Sequence, residues 1–101
     1  MKRKILLVED EAIIAMSTAK MMEKLDYTVE TVFKGEKAVE AVREDQDISL
    51  ILMDIDLGKG MDGTETAQEV LKVRELPIVF LSNHSEPEVV EKTEKITAYG
   101  Y

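Results

Sequence analysis

Three carboxylates stand where two apolar runs end. Ile5 to Val8 is followed directly by Glu9 and Asp10, and Ile48 to Met53 by Asp54. If both runs are buried strands of a parallel sheet, their carboxyl ends open onto one crevice, where the acids meet. Like charges held together disfavour ionisation, and a hard divalent cation bound through oxygen is the usual relief. A carboxylate beside such a cation can attack phosphorus, so this set supports metal-assisted acceptance of a phosphoryl group.

The rest of the chain has the pattern needed to hold those runs side by side. Ile14, Thr18, Met21, Met22 and Leu25 recur at helical spacing, with Lys20, Glu23 and Lys24 on the other side. Tyr27 to Val32 alternates as a second strand, and Ala38, Val39 and Val42 mark a second helix ending near Asp45. Gly58 to Gly63 is a flexible loop by composition; Ala67, Val70 and Leu71 give a short helix, and Pro77 opens a strand at Ile78 to Leu81. Glu86 and Pro87 suit the first turn of a fourth helix with Val89, Thr93 and Ile96 inward, and Thr97 to Tyr101 begins a fifth strand. Strands alternating with helices of this length require crossovers, so the expected fold is α/β, a doubly wound parallel sheet in three layers.

The 101 residues suit one domain, 1–101, with 45% apolar content for a modest core. No cysteine is present, which leaves oxygen and nitrogen as metal ligands. Thirteen Lys and Arg against 21 Asp and Glu give a formal charge of −8, which argues against direct nucleic-acid binding and against an anionic membrane surface. The apolar run behind Met1-Lys2-Arg3-Lys4 is too short for a signal peptide, and no later run reaches transmembrane length, so a cytoplasmic protein is expected.

Leu-Leu-Val-Glu-Asp-Glu, then Leu-Met-Asp-Ile-Asp-Leu with Gly-Met-Asp-Gly, then Pro-Ile-Val-Phe-Leu-Ser and Ala-Tyr-Gly-Tyr follow one another at suitable separations. Each fragment is weak alone; the ordered set resembles the receiver domain of two-component response regulators along the whole chain. The resemblance implies a flavodoxin-like sheet of order 2-1-3-4-5, here with the fifth strand and fifth helix cut short. It implies that Asp54 is the phosphoacceptor, taking the group from a phosphohistidine of a sensor histidine kinase or from a small acyl phosphate. Glu9, Asp10, Asp54 and the main-chain carbonyl of Asp56 would hold Mg2+. Ser82 would hydrogen-bond the phosphoryl group and Tyr101 would rotate with it, reporting to a partner or output surface. Such a domain is no enzyme beyond slow self-dephosphorylation, and an output domain or kinase in the same full-length chain is a possible partner.

Departures from the family pattern matter as well. The family's lysine falls three residues beyond Tyr101, outside this sequence, so the chain as given is expected to be incomplete and chemically impaired. An uncovered fifth strand would leave it poorly stable, or paired with a second copy as a homodimer. The loop from Asp54 to Gly63 is one residue longer than in many members, which would loosen the approach to the metal, and Asn83 stands where Ala or Gly is usual.

Blander roles compete for the same residues. A lone Asp at a strand end is most often a turn former or helix cap, and Glu9 and Asp10 suit a cap for a helix starting near Glu11. Asp56 suits a solvated surface. His84, the sole histidine, is either solvated or a neighbour of the site that titrates near neutrality. Met16, Met21, Met22 and Met53 read as core filler, and Asp62-Gly63 as a turn and helix start. Two rival functions remain. Asp54-Ile55-Asp56 has the Asp-x-Asp form of haloacid-dehalogenase-type phosphatases, although Gly58 stands where that family wants Thr or Val. The missing lysine suggests instead a phosphate-independent interaction domain.

Overall fold

The structure is a computed structural model that describes residues 3–55, 57–58 and 60–81. Four strands, β1 (Lys4–Val8), β2 (Thr28–Val32), β3 (Ile48–Asp54) and β4 (Ile78–Leu81), alternate with three helices, α1 (Ala12–Lys24), α2 (Gly35–Glu44) and α3 (Gly63–Val73). The strands form one parallel sheet in the order β2-β1-β3-β4. The parallel sheet is the one expected from the alternation of short apolar runs with helical patterns, and its order agrees with the flavodoxin-like order that the family resemblance implies. The expected fourth helix and fifth strand lie outside the described residues.

Successive side chains of a strand point to opposite faces, and β1 divides accordingly. Leu6 and Val8 join Ile51, Met53, Ile78 and Phe80 under α2 and α3, which contribute Ala38, Val42, Ala67 and Val70. Ile5 and Leu7 join Leu52 under α1, where Ala15 is the buried helical residue. A strand covered on both faces needs a continuous apolar run rather than alternation, which is why Ile5 to Val8 is apolar throughout.

The face that α1 presents differs from the expected one. Ala15, Ala19 and Met22 pack against the sheet, whereas Met16 (60% exposed), Met21 (58%) and Leu25 (61%) face outward. The small alanines let the helix lie close to the strands, and that contact decides its rotation against the pull of the larger side chains. The reading of four methionines as core filler therefore holds for Met53 and in part for Met22, and is corrected for Met16 and Met21.

The amino-terminal end of the sheet is closed by charge. The Lys4 ammonium bonds the Asp45 carboxylate and lies 3.1 Å from Glu30, while an Arg74 guanidinium N–H donates to the Ile48 carbonyl and another to Gln46 Oε1 at 3.0 Å. These pairs hold the ends of β1 and β3 together where no acidic crevice forms.

Candidate functional site

Register brings the acids to one level. Val8 pairs with Met53 and Asp54 with Leu81, so the residues after β1 and at the end of β3 emerge at the same edge. The Glu9 amide continues the ladder by donating to Val32 O at 3.1 Å, and the Ile55 amide donates to Leu81 O at 3.2 Å. Glu9, Asp10 and Asp54 each place a carboxylate oxygen within 4.8 Å of those of the other two. Their surroundings differ: Glu9 is buried at 5% exposure, Asp54 is intermediate and Asp10 is exposed.

That gradient sets the electrostatics. Burial, foremost, together with a hydrogen bond to and charge contact with Asp54, pushes the Glu9 carboxyl up from 4.5 to about 7 against the opposing bond from the Glu11 amide. Glu11 is the N-cap residue of α1 and its amide donates to Glu9 Oε1 at 3.2 Å. Glu9 therefore accepts a hydrogen bond at the start of α1 and also stands in the acidic group. A group of three oxygen donors in which one carboxyl takes up a proton to avoid its neighbours suits a hard divalent cation, whose charge would replace that proton.

The loop after β3 is packed against these acids. Gly58 has φ +72°, and a Cβ there would lie 3.1 Å from Asp10 Oδ2. At the far end of the loop, Asp62 caps α3 in a reciprocal capping box: its side chain accepts from the Glu65 amide at 2.8 Å, and Glu65 Oε1 accepts from the Asp62 amide at 3.3 Å. The assignment of Asp62-Gly63 to a turn and helix start thus holds. Gly63 also has no room for a side chain, since a Cβ would sit 2.2 Å from Asp54 O; the start of α3 packs on the backbone of the candidate acceptor.

One contact was not visible in the sequence. Glu36, in the first turn of α2, accepts the Met61 amide at 3.1 Å across 25 residues of chain. No spacing rule links two such positions, because the contact depends on how α2 and the loop are placed. Among the expected site residues, Glu9, Asp10 and Asp54 are brought together, whereas Asp56, Ser82 and Tyr101, with Asn83 and His84, lie outside the described residues.

Comparison with known proteins converges on one family. The family profile described as response regulator receiver domain matches residues 5–101. The transcriptional regulatory protein PdtaR of Mycobacterium tuberculosis is 34% identical over 100 residues, covering 98% of this chain and 48% of that protein. The phyllosphere-induced regulator PhyR of Methylorubrum extorquens is 34% identical over 87 residues, or 85% of this chain and 33% of that protein. The chain thus spans between a third and a half of the length of these relatives. Among solved structures, the N-terminal domain of a response regulator/sensory box/GGDEF three-domain protein from Carboxydothermus hydrogenoformans superposes with a TM-score of 0.87 at 52% identity, covering 97% of this chain and 78% of that one. The receiver domain of the sensor histidine kinase PA1611 from Pseudomonas aeruginosa, with a magnesium ion in its active-site cleft, superposes with a TM-score of 0.89 at 27% identity, covering 100% and 84%.

Proposed function

The chain belongs to the response regulator receiver domain family of two-component systems, and on that premise we propose that it accepts a phosphoryl group on Asp54. The observation that carries this reading is the convergence of the Glu9, Asp10 and Asp54 carboxylates at one end of the sheet. An Asp54 carboxylate oxygen attacks phosphorus of a kinase phosphohistidine, the P–N bond breaks, the freed imidazole nitrogen regains a proton from solvent, and an aspartyl phosphate is formed. The transferred oxygens carry negative charge into a crevice that is already acidic. Glu9 and Asp10, with Asp54 and the Asp56 carbonyl, would hold Mg2+, which when bound supplies the neutralising positive charge. The PA1611 receiver with its magnesium ion supports that choice of metal by likeness.

Ser82 follows the end of β4 in the chain and would meet the phosphoryl group, with Tyr101 turning in response; this pair is the proposed switch. Residues 1–101 then act as a receiver module between a sensor histidine kinase and an output domain or further kinase, as the greater length of PdtaR and PhyR suggests. Among the described residues no helix is long and apolar enough to cross a membrane.

The test is labelling of the full-length protein with acetyl phosphate. Expected are magnesium-dependent incorporation of one stable phosphoryl group and its loss in Asp54→Asn. Full labelling of that variant would move the acceptor elsewhere, many turnovers per molecule would favour a phosphatase, and no label in the unaltered protein would leave a phosphate-independent interaction domain.

A further inference from the structure

We infer that Glu36 is a positioning residue for the acidic site, acting through the turn at Gly60-Met61. The inference rests on the proposed metal-binding reading of Glu9, Asp10 and Asp54 and extends it to a residue on another element.

Glycine-rich turns are adaptable, so this one needs an anchor to keep a single course. Two glycines with positive φ, Gly58 at +72° and Gly60 at +87°, give the loop its course. Its first bend lies on Asp10, since a Cβ at Gly58 would stand 3.1 Å from Asp10 Oδ2. Its second bend lies on Glu36, since a Cβ at Gly60 would stand 3.2 Å from Glu36 Oε1 and 3.3 Å from Oε2. Between the second bend and the capped start of α3, the Met61 amide donates to Glu36 Oε1 at 3.1 Å. That acceptor is charged, which strengthens the bond, and it sits in the first turn of α2, where the helix dipole favours a carboxylate.

The loop passes close to Asp10 at Gly58 and is held at two places, on Glu36 by a hydrogen bond and at Asp62 by the capping box. Releasing the bond to Glu36 leaves the stretch beside Asp10 free to sample other conformations, and the metal ligands must then be ordered at the moment of binding. The cost of that ordering appears as weaker affinity. Glu36 touches neither the acids nor a phosphoryl group, so its effect travels through the backbone of the loop.

Amide hydrogen exchange at Met61 in the metal-free full-length protein, together with magnesium titration followed by amide chemical shifts, tests the inference. Glu36→Ala should speed Met61 exchange and weaken magnesium binding by about three- to tenfold, the range expected for one hydrogen bond. Glu36→Gln keeps an acceptor oxygen but loses the charge that strengthens the bond, so its loss in both readouts should be clearly smaller than that of Glu36→Ala. Unchanged magnesium affinity or unchanged Met61 exchange in Glu36→Ala would overturn the inference. Equal losses in the Ala and Gln variants would overturn it as well, by assigning the effect to charge near the site. An unaltered protein that binds no magnesium would remove the underlying metal reading and this inference with it, an outcome recognisable before any variant is measured.

Discussion

Glu9 carries the conflict on which the site is built. Its carboxyl is buried beside Asp54 and is raised from 4.5 to about 7, so the folded protein holds a proton that the unfolded chain has released over most of that interval. Stability depends on pH through the difference in bound protons, and here the native state binds more. The metal-free protein should therefore lose stability as pH rises from about 4.5 to about 7. Urea melts in chelator at pH 5 and pH 7.5 measure this, and Glu9→Gln should flatten the difference; a steeper loss in that variant would assign the dependence to another group. Neutralising the neighbour should act in the same sense, with Asp54→Asn stabilising the metal-free protein by roughly 1 kcal/mol, as removal of strain at functional sites commonly does. The sequence made this site legible because charged residues directly after apolar runs are conspicuous. Burial, which singles out Glu9 from three similar acids, was not legible there.

Helix α1 shows how an element resolves an ambiguous pattern. Ile13, Ile14, Met16, Met21, Met22 and Leu25 spread apolar side chains over more than one stripe, and spacing alone favoured the one through Ile14, Thr18, Met21, Met22 and Leu25. The sheet keeps Met22 of that stripe but selects Ala15 and Ala19 in place of Ile14, Met21 and Leu25, because small side chains allow close approach to Ile5 and Leu7. Enlarging the contact with Ala15→Leu should cost about 1–3 kcal/mol through overpacking. Met21→Gln, on the outward face, should stay within about 0.5 kcal/mol. Thermal or denaturant melts of the two variants separate the possibilities, and the opposite order would restore the stripe suggested by spacing.

Among the described residues, one sheet serves two cores of unequal size. The larger, under α2 and α3, runs through Val8, Ile51, Met53 and Phe80; the smaller, under α1, centres on Ile5, Leu7 and Leu52. Adjacent residues of β3 therefore feed opposite cores, and damage to this strand is felt by the entire fold. Ile51 is fully buried, and Ile51→Ala should cost about 2–5 kcal/mol by cavity formation. Against the 5–15 kcal/mol typical of a domain, that loss should lower the denaturant midpoint strongly while a single transition is kept. A separate early transition on either side of the sheet would show that the two cores unfold independently.

The sequence by itself determined the alternation of strands and helices, the parallel sheet, and which acids stand at strand ends. Those properties are local: the period of apolar residues, the glycines and prolines that interrupt it, and the type of residue that follows each run. Tertiary structure alone decided the rest. The rotation of α1, the burial that separates Glu9 from Asp10, and the bond from the Met61 amide to Glu36 depend on distances between segments remote in the chain. Such distances are set by close packing of particular side chains, a property of the assembled molecule that no single stretch of sequence contains.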